Sequence, residues 1–368
     1  MPEIQPVDKK IAAIYSFSPE FFACPYIRIW SPMSGSLEFD TVGGCCIGRG
    51  RLLRYSQRLA QVSDVIILQR EFPCHIKAVE NILDIAEING VPVLLESDDD
   101  LANLPQEHPS AQMSAELRTN LDIIAHRLSG FLVSTEHLAM VFKKYNKPIS
   151  VVPNFVDDRL WQMTPLKRNS NALIIGYMGT PTHKEDLDCA IPSLKKLLHK
   201  YRGKVELWLW GDMPDTLRNT PGVKLISGWN TNYPEFVADF IARRPDIAIA
   251  PLRDIPFNYS KSAIKFLEYS VLRIPGIYSK VGPYAAAVED GKTGYLVENN
   301  ESAWTTALEA LIVDPSLRSR IGGGARIAVM RDHSLSSRGD ALSNVLSEFV
   351  SGAEHAVKRP DRHTPGVS

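Results

Sequence analysis

Three clusters of residues in this chain combine types and spacings suited to chemistry. The first is Gly176-Tyr177-Met178-Gly179-Thr180-Pro181-Thr182-His183-Lys184, a glycine-bearing turn between a buried strand and a helix. Gly179 lets backbone N–H groups approach a ligand, Thr180 and Thr182 add hydroxyl donors, and the helix start carries partial positive charge. An anion fits such a place, and Lys184 adds a full charge against a diphosphate. A turn serving chain geometry alone is the competing reading, since the full G-x-G-x-x-G pattern is absent.

The second cluster runs from Phe257 to Ser270, where Ser260 or Ser262 is expected to cap a helix Ser262 to Leu272. Lys261, Lys265 and Glu268 are spaced by four and three, so they share one helical side. The lysines could hold phosphate and the glutamate ribose hydroxyls; an exposed ion-pair ladder is the alternative. The third cluster, Glu96-Ser97-Asp98-Asp99-Asp100, directly follows an apolar strand read as Val91 to Leu95. A polar or acid–base role toward an acceptor, a metal site, and helix capping compete for it. His108 and His183 could donate hydrogen bonds or carry protons, or lie on plain surface. Trp229 could edge a nucleotide pocket, while Trp208 and Trp210, two apart on a strand, pack on one face. Nucleophile-elbow, H-E-x-x-H and Walker patterns are missing, which sets hydrolase and P-loop readings aside.

The elements that must position these residues alternate between strand and helix. Val65–Leu68, a helix Ile76–Asn89 and Val91–Leu95 open the series, with Gly90 at the helix C-cap. A stripe of Leu117, Leu121, Ile124 and Leu128 follows, then the strand FLVST, a helix from Glu136 to Tyr145 capped near Thr135, and the strand ISVVPN. The polar stretch Thr164 to Asn171 interrupts the pattern and reads as a domain boundary and hinge. Strands then recur at Leu173–Tyr177, Val205–Trp210, Val223–Ile226, Asp246–Ala250 and Gly276–Ser279, with a helix Trp304–Val313. Pro192 inside the helical stretch to Tyr201 predicts a break or a fresh helix start. The class is α/β, with two mainly parallel sheets and a cleft between them.

Composition agrees. At 368 residues two to three domains are expected, and 44% apolar with 23% charged residues excludes wholesale disorder. Forty-one basic against 42 acidic residues leave a net charge of −1, which argues against sequence-independent nucleic-acid binding. The polar start and the lack of a long apolar run point to a cytoplasmic protein. Five cysteines without metal-ligand spacing read as free thiols.

Taken together, IIGYMGTPTHKEDL, VELWLWGD, DIAIAPL, FNYSKSAIKFLEYSVLRIPGIYS and VGPYAAAVEDGKTGYLVENNESAW resemble, in order and spacing, the retaining glycosyltransferases of the GT-B fold, family 4 (group 1). FLVSTEHLAMVF and ISVVPNFVDDRLW resemble the end of that family's acceptor domain. The resemblance implies two Rossmann-like domains: residues 1–165 for the acceptor, 166–335 for the nucleotide sugar, 336–352 as a helix packing back on the first domain, and 353–368 as a disordered tail.

The implied activity is transfer of a sugar from a nucleoside diphosphate to an acceptor with retention, in polysaccharide or glycoconjugate biosynthesis. Fixed positive groups would replace a metal, and no cofactor is implied. Lys184, Lys261, Asp98 and Asp99 would serve catalysis; Gly179, Thr180, His183, Ser262, Lys265 and Glu268 would bind the donor. A glycan or lipid-linked molecule would be the acceptor, with peripheral membrane association left open. The family's first glutamate is replaced by Ser260, and its frequent acceptor-side histidine by Asp98 and Asp99. A sugar-nucleotide-binding protein without turnover, or an epimerase on the same fold, are the alternatives.

Overall fold

The structure, a computed structural model, describes residues 9–47, 53–167, 170–180, 183–228 and 230–356, with the side chains at 47, 184 and 354–356 excluded. Pro181, Thr182, Trp229 and most of the expected tail thus lie outside the described residues.

The strands are β1 (Lys10–Tyr15), β2 (Phe39–Gly43), β3 (Cys45–Ile47), β4 (Leu53–Tyr55), β5 (Val65–Gln69), β6 (Val93–Ser97), β7 (Gly130–Val133) and β8 (Ile149–Val151), then β9 (Leu173–Gly179), β10 (Val205–Gly211), β11 (Val223–Gly228), β12 (Ile247–Ala250), β13 (Gly276–Ser279) and β14 (Tyr295–Val297). Among the described residues they form two parallel six-stranded sheets, ordered β2-β1-β5-β6-β7-β8 and β11-β10-β9-β12-β13-β14, and an antiparallel β3–β4 pair. The expected α/β architecture of two Rossmann-like domains is therefore what forms.

Alternation along the central strands explains the layering. Ala13, Tyr15, Ile66, Leu68, Val93 and Leu95 face one core with the helices Ile76–Asn89 and Ala111–Ile124. Ala12, Ile14, Val65, Ile67 and Leu94 face the other side. The second sheet divides likewise, Trp208, Trp210 and Ala248 on one face and Leu207, Leu209 and Ile249 on the other. A strand has a side-chain period of two, so near-continuous apolar runs mean both faces are covered.

Two stretches of chain cross between the domains. The first follows β8, and Val156 and Trp161 are already in the second domain's core, ahead of the polar stretch at Thr164. The second follows the helix Pro315–Asp332; there Val156 N–H donates to His333 O at 2.8 Å and Leu335 N–H to Val156 O at 3.0 Å, pairing the crossings side by side. The helix Ala341–Ala356 then buries Leu342, Leu346 and Val350 against the first sheet. Gly130 permits this approach, because a Cβ there would stand 2.7 Å from the Phe349 ring.

Several sequence expectations shift. β6 begins later and runs on to Ser97, so Glu96 belongs to the strand. The helix after Lys184 stops at Leu187 and restarts at Ile191 with Pro192 in its first turn, as the proline requires. The capping roles of Ser260 and Ser262 are not realised: the helix spans Ile264–Val271, its N-cap is Ala263, and no side chain caps it. Lys261 consequently precedes the helix instead of sharing its face. β1, β2 and the helices Tyr233–Arg243 and Pro315–Asp332 had no counterpart in the sequence reading. All five cysteines are unpaired. Among the described residues no helix is long and apolar enough to cross a membrane.

Candidate functional site

In an open parallel sheet the ligand crevice lies beyond the strand C-termini where the strand order reverses, here between β9 and β12. The two glycines at neighbouring strand ends shape its floor. Gly179 is the last residue of β9, not a turn residue, and a Cβ there would strike the Tyr177 ring at 2.4 Å from its hydroxyl. Its partner Gly211 on β10 has φ +110, and its Cβ would lie 2.1 Å from Gly179 O. Only glycines let these strand ends close together and leave the floor open.

Above that floor is a cleft of about 280 Å³ between the domains. From the second domain Gly179, Thr180, His183, Lys261, Ser262, Lys265 and Glu268 line it; from the first, Asp98, Asp99 and Asn154. Every residue assigned above to catalysis or donor binding, Lys184 apart, therefore lines one cleft. The Lys184 side chain lies outside the described residues. His108 is not among the lining residues; its ring lies 6.1 Å from that of Phe257.

The electrostatics differ from residue to residue. Burial, reinforced by Lys265 and Lys261, pushes the His183 imidazole down to about 3, so it is neutral. Its Nδ1 lies 2.8 Å from Asp186 Oδ2, a carboxylate that can only accept; the proton is on Nδ1 and Nε2 is left as an acceptor. His183 thus fits a hydroxyl better than a phosphate. Lys265, in the first turn of its helix, has its ammonium 5.8 Å from the Tyr177 ring and, among the described residues, no carboxylate at ion-pair distance. Burial brings it down to about 8. Lys261 Nζ lies 4.5 Å over the Phe257 ring and 3.7 Å from Asp99 Oδ1 across the cleft. Glu268 is buried and pushed up to about 7 by desolvation, while Tyr233 donates to its Oε1 at 2.5 Å. The exposed ion-pair ladder is excluded by this burial.

On the opposite wall the acidic run fans out. Glu96 turns inward to Arg28 at 2.6 Å and to Gln69, Asp98 meets Arg70, Asp99 faces Lys261, and Asp100 accepts from Asn103. Both central carboxylates are desolvated, yet Arg70 and Arg28 hold Asp98 below the usual range, whereas Asp99 is raised. Asp98 is occupied and Asp99 is the freer group. Among the described residues no group of three or more metal-ligating side chains is in place to hold an ion.

Residues 172–314 match the family of glycosyl transferases group 1. A 98-residue stretch is 34% identical to a D-inositol 3-phosphate glycosyltransferase from Arthrobacter sp., covering 26% of this chain and 21% of that protein. Another of 104 residues is 31% identical to the alpha-D-kanosaminyltransferase of Streptomyces kanamyceticus, covering 28% and 27%. The match thus spans about a quarter of the length of these curated relatives. Whole-chain similarity appears in solved structures: a glycosyltransferase from Rickettsia africae (TM-score 0.68, 13% identity, 94% of this chain and 99% of that one) and sucrose-phosphate synthase from Thermosynechococcus elongatus (0.66, 11%, 94% and 100%). HepE of Anabaena in complex with UDP-glucose gives 0.63 at 13% identity over 92% and 100%. At these identities the likeness establishes the fold, which is GT-B.

Sequence reasoning missed the groups that support the site. Tyr233 orients Glu268 while accepting from Trp161 Nε1 at 3.2 Å, and its ring lies 5.5 Å from Tyr26 of the first domain. The signal was there: Tyr233, Val237, Phe240 and Ile241 recur at helical spacing behind Asn232, which caps the helix. Arg70 and Arg28 had no such signal, since each meets its carboxylate from a distant part of the chain, 28 and 68 residues away.

Proposed function

We propose that this protein is a glycosyltransferase that moves a sugar from a nucleoside-diphosphate sugar to an acceptor hydroxyl, with retention of configuration, in polysaccharide or glycoconjugate assembly. The observation that carries the reading is Lys265: a desolvated ammonium without a carboxylate partner among the described residues, one helical turn from a buried glutamate, in the second domain's crevice. A group 1 match over that same domain supports it.

Departure of the nucleoside diphosphate leaves negative charge on the β-phosphate, so cations already fixed there stabilise the transition state more than the ground state. Lys265 and Lys261, the backbone at Gly179 and Thr180, and Lys184 serve that charge without a metal. Glu268 accepts from the ribose hydroxyls, and neutral His183 from a sugar hydroxyl. The acceptor enters from the first domain, where Asp99 is the carboxylate available to its hydroxyl; front-face attack then retains the anomeric configuration, the departing phosphate taking the proton. With the domains joined over the cleft, water is kept from competing.

The test is a thermal-shift panel of UDP-, GDP- and ADP-sugars, UDP-glucose first because a HepE structure holds it, followed by assay for nucleoside diphosphate released with acceptor present. One donor raises the melting temperature, and Lys265→Ala and Glu268→Ala abolish the rise. A shift that survives both substitutions overturns the donor site, and binding without product release favours a non-catalytic binder.

A further inference from the structure

The donor reading leaves one buried relay unused. Arg28, on the π-helical segment Tyr26–Trp30 of the first domain, is 3% exposed yet surrounded by acceptors. Its Nε donates to Glu96 Oε1 at 2.6 Å, and its Nη1 to Val152 O and to Asn154 Oδ1, both at 2.7 Å. The other Glu96 oxygen accepts from Gln69 Nε2 at 3.1 Å. A guanidinium has donors only, so the Asn154 atom facing it must be the carbonyl oxygen. That fixes the amide, and turns its NH₂ toward Ser262 Oγ, 2.7 Å away in the second domain. The Ser262 oxygen therefore accepts, and among the described residues nothing takes its own proton. Both Asn154 and Ser262 line the cleft.

Building on the reading of this cleft as a sugar-nucleotide site, we propose that Asn154 is a positioning residue which, clamped by Arg28 and Glu96, holds Ser262 as a hydrogen-bond donor toward a phosphate or sugar oxygen of the nucleotide substrate. A lone serine hydroxyl rotates and can spend its proton on any nearby carbonyl. Occupying its lone pair from one side removes that freedom. Because the amide belongs to one domain and the hydroxyl to the other, the polarity is set only while the two are in contact. Grip on the donor is thereby tied to domain closure.

Asn154→Asp separates polarity from packing, since it keeps the shape and turns the donor facing Ser262 into an acceptor. Calorimetric titration of the full chain with UDP-, GDP- and ADP-glucose identifies the tightest ligand, which is then used throughout. Ser262→Ala and Asn154→Asp each weaken binding by about tenfold, and the double variant binds no more weakly than the worse single one. Asn154→Ala, which adds no charge, gives the same non-additive pattern and replaces Asn154→Asp should that variant not fold. Native affinity in the Asn154 variants overturns the relay, as do losses that multiply, because those would place the new charge directly on the ligand. Lys265→Ala distinguishes the two levels: if it abolishes binding while the Asn154 variants do not matter, only the relay fails. Unchanged affinity in Lys265→Ala, or no binding by the native chain, brings down the donor site and the relay with it.

Discussion

Glu268 and Lys265 make the site's behaviour legible as a function of pH. The glutamate, raised to about 7 by burial, is mainly a carboxylate only above that pH, and in its proposed role ribose hydroxyls would bond more strongly to the carboxylate than to the acid. The lysine, lowered to about 8, is an ammonium only below that pH, and a diphosphate needs the ammonium. Nucleotide affinity should therefore fall on both sides of a window between about 7 and 8. Calorimetry from pH 5.5 to 9.5 checks this. Glu268→Gln flattens the acid limb, and Lys265→Met removes the alkaline limb while weakening binding at the optimum about 10- to 100-fold, the range of a hydrogen bond to a charged group. An acid limb that persists in Glu268→Gln would assign the titration to another group.

Lys261, Lys265, Glu268 and the aspartates were readable because a strand or helix end in an α/β pattern is where ligands sit, whatever the surrounding sequence. What supports them was not: Arg28 and Glu96 are 68 residues apart, and no local pattern announces the pairing.

At the scale of elements, the strand ends β9 and β10 are the part of the site least tolerant of change. Gly211→Ala would force a residue with φ +110 to carry a Cβ against Gly179 O, so destabilisation of at least about 1–3 kcal/mol is expected, with loss of nucleotide binding. Thermal unfolding and titration of the one variant measure both, and a native melting temperature would refute the argument. The same physics explains a missed element. The helix Pro315–Asp332 carries Gly322-Gly323-Gly324, composition that reads as loop, yet a Cβ at Gly322 would lie 2.1 Å from Arg273 O and one at Gly324 2.7 Å from Lys292 O. Helix propensity is sacrificed there for close packing. β2 escaped notice for another reason: FDTVG is an edge strand largely open to solvent and lacks the apolar run that marks β5 and β6. The repeating strand–helix order from Val65 onward carried enough of the fold to give its class.

At the scale of the whole molecule, the C-terminal helix completes a face of the first sheet. Leu346 is fully buried among Ile14, Ile67 and Leu132, so Leu346→Ala should cost about 2–5 kcal/mol. Its melting temperature drops, and because the substitution lies far from the second domain's crevice, the rise produced by a bound nucleotide keeps its size. Fluorimetric melts with and without ligand compare the two; a rise that vanishes would mean the helix does more than fill a core.

The paired crossings at Val156 and Ser334 have a mechanical consequence. Two bodies joined at a single point can tumble freely, but a second tether beside the first, laced to it by backbone bonds and by Ser336 on Asp158, leaves mainly one rotational freedom, like a door on its pins. Opening about such a hinge would swing Lys261 away from Asp99 along an arc and return it to the same spot, so the two walls of the cleft would meet in register without a search.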